Sequence, residues 1–195
     1  MIGLAANTKK SLFESLNLDE NLGSKWIDAH NAADTRFLKD LKINVGNVLK
    51  SEVLSPKEAL LMALAVAINE KSAVLTQALE EMARAQEATD EEINEVAACV
   101  SLMNANNVFY RFRHFMHKNE NYQNMPAGIR MSVMMKPVLG KEFFELLSLG
   151  VSALNGCEQC VTSHEASVKS HGGTEARIFD AIRLVSVIKS FVVLL

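Results

Sequence analysis

Two cysteines three residues apart, Cys157 and Cys160, form a Cys-x-x-Cys pair, and His164 follows four residues after the second. Residues three and four apart lie on one face of an α-helix, so a helix from about residue 157 would align the two thiols and the imidazole in one stripe. Asn155-Gly156 precedes the pair. Because Asn is a good N-cap residue, we expect the helix to begin there, with Cys157 in its first turn. Free backbone N–H groups and the positive end of the helix dipole favour a thiolate at such a position.

A carboxylate, Glu145, lies twelve residues before Cys157. It belongs to the preceding helical pattern, so its contact with the thiols requires an antiparallel helical hairpin that reverses around residues 153–156. Glu145 or His164 would then act as the base that removes a thiol proton, and the other residue would orient that base. The resulting thiolate can attack a peroxide oxygen, giving a sulfenic acid that the second thiol resolves, or it can attack an external disulfide.

The composition of the 195 residues predicts one helical domain with a sizeable core. The net charge of −3 gives no indication of nucleic-acid or membrane-surface binding. We find no signal-peptide pattern at the N-terminus and no apolar run approaching the ~20 residues that span a bilayer. We therefore expect a reducing cytoplasm, where a Cys-x-x-Cys pair is typically catalytic or metal-binding. The third cysteine, Cys99, lies in an apolar helical pattern and is predicted to be a small core residue.

Helix-start signals divide the chain. Ser24 is a predicted N-cap, while Ser55 and Thr89 begin predicted capping boxes, the second of them opening a long helix through about Phe115. The predicted organisation within one domain is an N-terminal helical extension over 1–54, a first helical repeat over 55–118, a polar connector over 119–139 and a second helical repeat over 140–195.

The two repeats align without a gap at an offset of 85 residues, with matching helix starts and apolar phase. This pattern favours an internally duplicated helical unit. The site residues Glu145, Cys157, Cys160 and His164 stand opposite Leu60, Ser72, Leu75 and Leu79. A structural requirement of the fold would be expected in both copies, so their presence in one copy alone favours a functional interpretation.

Three other interpretations use the same residues. A zinc-binding module would take its ligands from Cys157, Cys160, His164 and His171, although all four would crowd one helix. His171 precedes Gly172-Gly173, where we expect a helix C-terminus. Alternatively, the cysteines are simply buried, or the pair is a redox-responsive element without catalytic activity.

The full pattern Glu-x11-Cys-x2-Cys-x3-His over residues 145–164 resembles the alkyl hydroperoxidase AhpD group of the carboxymuconolactone decarboxylase-like superfamily. The resemblance in motif covers about residues 140–170, and the resemblance in architecture covers about 55–195. It implies an all-α fold and a thiol peroxidase, or a disulfide reductase that serves a peroxiredoxin partner. It also implies reducing equivalents from lipoylated proteins or a dithiol such as dihydrolipoamide, no prosthetic group or metal, and a homo-trimer or homo-hexamer.

The resemblance also assigns roles to the individual residues. Cys160 would be the more buried thiol that attacks the peroxide, and Cys157 the more accessible thiol that resolves and exchanges with partners. Glu145 and His164 would form the proton relay. In AhpD a histidine directly precedes the second cysteine, whereas this chain has Gln159, a side chain that cannot carry a proton at neutral pH.

Overall fold

The structure, a computed structural model, describes the backbone of residues 5–195 and the side chains from residue 8 onward. The regular secondary structure of these residues is helical. The α-helices are α1 (Ala5–Glu14), α2 (Lys25–Ala32), α3 (Arg36–Val48), α4 (Pro56–Asn69), α5 (Ala73–Ala85), α6 (Asp90–Phe115), α7 (Glu120–Asn124), α8 (Lys141–Leu154), α9 (Glu158–Ser170) and α10 (Glu175–Val192), with a 3-10 helix over Ser132–Met135. Over these residues no strand is formed, so the predicted all-α fold class is confirmed.

The helix starts follow local hydrogen bonding. Ser24 accepts a hydrogen bond from the backbone N–H of Ile27, as an N-cap does. Ser55 and Thr89 each form a complete capping box with the glutamate three residues later. These three predicted starts are confirmed, and the long helix α6 ends at Phe115 as predicted.

The three N-terminal helices pack against the end of the chain. Phe13 on α1 and Phe191 on α10 meet edge to face, with ring centroids 6.4 Å apart. The Ser24 hydroxyl donates to the backbone carbonyl of Leu194. The segment therefore lies on the core through α10, and it is remote from the cysteine pair on α9.

The structure of residues 56–85 corresponds to that of residues 141–170 at the predicted offset of 85. Helices α4 and α8 have the same length and matching bounds, as do α5 and α9. The turns correspond too, because Lys71 and Gly156 both have a positive φ, 59° and 67°. This agreement supports the predicted duplication.

An ion pair with exchanged charges adds to the correspondence. Lys57 on α4 pairs with Glu92 on α6, N to O 2.8 Å. The positions 85 residues later hold Glu142 on α8 and Arg177 on α10, which pair with N to O 2.9 Å. Here the acid is on the first helix of the unit and the base is on the third. The same contact thus joins the first and third helices of both units with the signs reversed.

Helix α8 is the most enclosed element, since every residue from 143 to 152 is buried. It packs against α4, α6, α9 and α10. Gly150 permits the closest approach: a Cβ there would lie 3.1 Å from both the Met62 sulfur and a Val185 methyl group. Because α8 is fixed on all sides, the side chains that it carries have few alternative positions.

The connector before α8 is held by a buried carboxylate that sequence reasoning missed. Glu95 on α6 accepts hydrogen bonds from the backbone N–H groups of Val138 and Leu139, both at 2.8 Å. These bonds hold the segment just before α8 against the N-terminal part of α6.

We predict that Glu95→Ala lowers the free energy of unfolding by about 2–4 kcal/mol, because two backbone donors lose their acceptor. Urea denaturation at one fixed protein concentration measures the change. Asn94→Ala, at an exposed position of the same helix, is the control and should stay within about 0.5 kcal/mol of wild type. Equal stability of the two variants would show that these bonds contribute nothing.

Candidate functional site

The turn between α8 and α9 positions the cysteine pair. Asn155 is the C-cap of α8, and Gly156 with its φ of 67° reverses the chain direction. Cys157 is itself the N-cap of α9, in extended conformation, and its N–H donates to the carbonyl of Ser152 at 3.0 Å. The predicted helical hairpin is confirmed.

The predicted start of α9 was wrong by two positions, because its N-cap is Cys157 and not Asn155. Asn155 does not cap α9, because α8 continues to Leu154 and both residues of the Asn-Gly pair are used in the turn. Cys160, and not Cys157, therefore lies in the first turn of α9. The favourable environment for a thiolate at a helix N-terminus applies most directly to Cys160.

The two cysteines form a disulfide, with Cα atoms 5.3 Å apart. Both are buried, but the order of burial is the reverse of the one that the family resemblance implied: Cys157 is 1% exposed and Cys160 is 7% exposed. Cys157 is enclosed by the turn, whereas Cys160 lies one helical turn further along and lines a cavity.

That cavity has a volume of about 280 Å³ and lies between α6, the connector and α9. It is lined by Asn106, Tyr110, Met131, Met134, Gln159, Cys160, Ser163 and His164. The sulfur of the second cysteine and the imidazole therefore share one accessible space, as the predicted helical stripe requires.

Glu145 and His164 are in direct contact, with the carboxylate Oε2 and the imidazole Nδ1 2.6 Å apart. Both side chains are buried, the carboxylate on α8 and the imidazole on α9. Lys141, one turn before Glu145, donates from Nζ to the other carboxylate oxygen at 2.7 Å and to the carbonyl of Met134 at 2.8 Å.

Burial raises the pKa of the Glu145 carboxyl group, but the hydrogen bonds and positive charges of His164 and Lys141 outweigh this effect and lower that pKa to about 2. The carboxylate is therefore ionised at neutral pH. Sequence reasoning missed Lys141, although a Lys-x3-Glu spacing at a helix start was a usable signal.

Polar side chains of α6 support the turn before Cys157. Asn107 accepts from the Asn155 side chain at 2.9 Å and donates to the hydroxyl of Ser152 at 2.9 Å. Arg111 donates to the backbone carbonyl of Asn155. The disulfide thus lies in a turn that is fixed from the side of α6.

The residues of the zinc hypothesis do not converge. His171 is the C-cap of α9, exposed, with its Nδ1 2.8 Å from the Ser167 carbonyl oxygen. Eleven residues of helix separate it from Cys160, about 16 Å along the axis. The predicted helix end before Gly172 is confirmed, and this histidine is not part of the site.

Cys99 is fully buried, as predicted, and its sulfur is 3.4 Å from the hydroxyl of Ser148. Burial raises the pKa of its thiol to about 12. It is a core residue that stays protonated at neutral pH.

Comparison with known proteins identifies the family to which this chain belongs. The model of the carboxymuconolactone decarboxylase family matches residues 120–191. Alkyl hydroperoxide reductase AhpD of Anaeromyxobacter dehalogenans is 37% identical over 169 residues, which cover 87% of this chain and 90% of the relative. The proteins of the same name from a Bradyrhizobium strain and from Brucella canis are each 37% identical, over 80% and 79% of this chain and 86% and 87% of theirs. The chain belongs to the AhpD family.

Membership confirms the predicted resemblance and the enzyme class, an oxidoreductase of the AhpD type. The family match over residues 120–191 includes the cysteine pair, Glu145, His164 and the connector residues Met131 and Met134 that line the cavity. Among the helices of the described residues, none is both long and apolar enough to cross a membrane.

We predict an acid-dependent loss of stability that depends on Glu145. Its pKa is lower in the folded chain than the ordinary value of 4.5. The carboxylate therefore stabilises the fold above that value, and this contribution is lost as the pH falls towards about 2. Urea denaturation of oxidised protein should show a wild-type advantage over Glu145→Gln on the order of 3 kcal/mol at pH 7, shrinking steadily below pH 5.

The matched control is Glu52→Gln, at an exposed position. Its difference from wild type should be small and should not change with pH. If the Glu145→Gln difference were equally independent of pH, the carboxylate would not be held by Lys141 and His164 in solution.

Proposed function

We propose that this chain is a cytoplasmic thiol peroxidase and disulfide reductase that reduces organic hydroperoxides with Cys160 and Cys157. The observation that carries the proposal is a disulfide-bonded Cys157–Cys160 pair together with a buried Glu145–His164 pair, with Cys160 and His164 lining one cavity. The names of the relatives, alkyl hydroperoxide reductases, support the substrate class.

The proposed reaction begins with the reduced pair. The Cys160 thiol loses its proton to His164, four residues along the same helix, and the Glu145 carboxylate stabilises the imidazolium. The thiolate attacks the terminal oxygen of the hydroperoxide: an S–O bond forms, the O–O bond breaks, and the alkoxide takes a proton from His164 to leave as an alcohol. Cys160 is left as a sulfenic acid.

Cys157 completes the reaction. Its sulfur attacks the sulfur of Cys160, the S–S bond forms, and hydroxide leaves and is protonated to water. The disulfide is the form that the structure contains. An external dithiol such as dihydrolipoamide, free or on a lipoylated protein, then donates two electrons and two protons and becomes a disulfide itself. A peroxiredoxin disulfide would be reduced by the same pair.

The accessibility of the sulfurs bears on these roles. Cys160 reaches the cavity, so it suits the proposed attack on the peroxide. Cys157 is almost fully enclosed, so a partner thiol would meet the Cys160 sulfur first unless the turn opens. Gln159 also lines the cavity but cannot carry a proton, which leaves the relay to Glu145 and His164.

We predict that Cys160→Ser and Cys157→Ser fail at different steps of the reaction with peroxide. With a small dithiol and cumene hydroperoxide, Cys160→Ser should lose at least about 100-fold in peroxide consumption because the attacking sulfur is absent. Reduced Cys157→Ser, freed of dithiol before mixing, should react once per chain with peroxide and stop as a sulfenic acid, because the resolving sulfur is absent and no small thiol is present to reduce it. A sulfenic-acid probe with mass spectrometry would detect that species on Cys160.

The control for these variants is Cys99→Ala, which should keep its activity within about twofold. A sulfenic acid found on Cys157 instead would reverse the assigned roles. A wild-type protein that is inert towards peroxide while its cysteines still cycle with dithiols would fit the alternative, a redox-responsive module without peroxidase activity.

The oligomer implied by the family resemblance is also part of the proposal. Val108, Phe112 and Phe115 form one exposed apolar face near the C-terminal end of α6, which we term the α6 apolar face. Contiguous exposed apolar surface of this kind typically marks an interaction site. We propose that it contributes to a homo-trimer or homo-hexamer.

Sedimentation velocity tests this assembly. The wild-type protein should sediment as a multiple of the 21.5 kDa chain, and Phe112→Ser/Phe115→Ser should shift it towards the monomer because the apolar contact is lost. Ile43→Ser, which changes an exposed apolar side chain on α3, is the matched control and should leave the sedimentation unchanged. A monomeric wild type would refute the assembly.

A further inference from the structure

One buried polar group at the cavity lacks a partner. Asn106 on α6 is 5% exposed and lines the cavity together with Cys160 and His164. Its Nδ2 lies 3.2 Å from the thioether sulfur of Met131. Its Oδ1 is buried, and among the residues that the structure describes no group donates a hydrogen bond to it.

The next residue on the helix shows what a structural asparagine looks like. Asn107 is also buried, and both ends of its amide are paired, with Ser152 and with Asn155. Buried side-chain acceptors are nearly always satisfied in this way, because leaving one without a donor costs free energy. Asn106 therefore differs from its neighbour in having an unused acceptor where the reactive cysteine faces open space.

The lining contributed by α6 and the connector is suited to a molecule with one donor and an apolar body, whereas Gln159 and Ser163 add polar groups on the side of α9. Tyr110, Met131 and Met134 supply aromatic and thioether surface to the same cavity. The volume of about 280 Å³ exceeds by far the share of about 30 Å³ that a water molecule occupies in the liquid. Met131, which covers the Asn106 amide, is unbranched and has three rotatable bonds, so it can move aside for a ligand.

We propose that Asn106 accepts a hydrogen bond from the terminal O–H of an organic hydroperoxide and so holds the oxygen that Cys160 attacks. The proposal rests on the proposed peroxidase function and makes Asn106 a substrate-binding residue for it. The O–H proton stays on its oxygen throughout the attack, since that oxygen becomes the OH of the Cys160 sulfenic acid. Asn106 keeps the same hydrogen bond before and after the O–O bond breaks, and no further reactant is needed.

The test compares two oxidants of the fully reduced protein. Cumene hydroperoxide carries the O–H donor, whereas 4,4′-dithiodipyridine oxidises the same thiols and carries none. Rapid mixing, acid quench, alkylation and mass spectrometry give the rate of Cys160 oxidation by the hydroperoxide. The absorbance of the released pyridinethione gives the rate with the disulfide reagent.

Asn106→Leu should react about 10- to 100-fold more slowly with the hydroperoxide and within about twofold of wild type with the disulfide reagent, because only the first oxidant uses the acceptor. The melting temperature of the variant should not fall, since a buried acceptor without a partner has been removed and the size of the side chain is kept. Asn106→Ala provides the same comparison if leucine packs poorly. Asn104→Ala, an exposed asparagine two residues earlier, should leave both rates unchanged.

Two results would overturn the inference alone: an unchanged hydroperoxide rate in the Asn106 variants, or an equal loss with both oxidants, which would indicate a structural role. A wild-type protein that reacts with the disulfide reagent and with no hydroperoxide would instead overturn the proposed function, and the inference with it. A selective loss in Asn106→Leu with retained stability would establish the residue as the acceptor for the substrate.

Discussion

The buried carboxylate of Glu145 constrains the structure around it more than any other single group. An ionised carboxylate loses several kcal/mol of hydration on burial and is tolerated only where charges and hydrogen bonds replace the water. Here one carboxylate oxygen accepts a hydrogen bond from Lys141, and the other is hydrogen-bonded to the imidazole of His164. Since Glu145 and Lys141 lie on the fully packed helix α8, this requirement fixes where the imidazole of α9 must lie. The position of His164 is thus set both by its contact with the Glu145 carboxylate and by the packing of α9 against α8.

The same interaction reaches the cavity. Lys141 bonds Glu145 and also the carbonyl of Met134, whose side chain lines the space beside Cys160. The connector before α8 is held a second time by Glu95, through two backbone N–H groups. The connector that lines the cavity beside Cys160 therefore has backbone groups at Met134, Val138 and Leu139 that are bonded by side chains of α6 and α8. The connector supplies the thioether side chains of Met131 and Met134 to the cavity, and α6 supplies the aromatic ring of Tyr110.

The two predicted repeats share a scaffold and differ at the few positions that form the candidate site. In the first repeat Leu60, Leu75 and Leu79 are buried where the second repeat has Glu145, Cys160 and His164. Pro56 stands at the first position of α4 where α8 has Lys141, so the first repeat also lacks the cation that would neutralise a carboxylate. Helix lengths, turn conformations and even the ion pair between the first and third helices are retained.

The features predictable from the sequence were the ones that local chemistry determines. The capping boxes at Ser55 and Thr89 and the stripe of Cys160 and His164 depend on spacing alone, and each lies where the pattern placed it. The start of α9 was mispredicted because Asn-Gly is suited both to a helix start and to a turn, and the continuation of α8 decided between them. Glu95 and Asn106 gave no signal, since a single polar residue in a helix acquires a role only from the segment that tertiary packing brings against it.

In the proposed reaction, the charge balance of the site gives Lys141 a part in the chemistry as well as in folding. A carboxylate near a thiol disfavours the thiolate: burial is the main cause of the raised pKa of Cys99, and the charge of Glu145 raises it further. With Lys141 in place, the Lys141–Glu145 pair is neutral as a unit, so a proton on His164 gives the group a net positive charge when the Cys160 thiolate forms. Without the lysine, proton transfer to His164 would only cancel the carboxylate, and the thiolate would be the remaining uncompensated charge in a buried environment. A carboxylate can therefore orient the imidazole in this core without opposing the nucleophile, because a cation on its own helix neutralises it first.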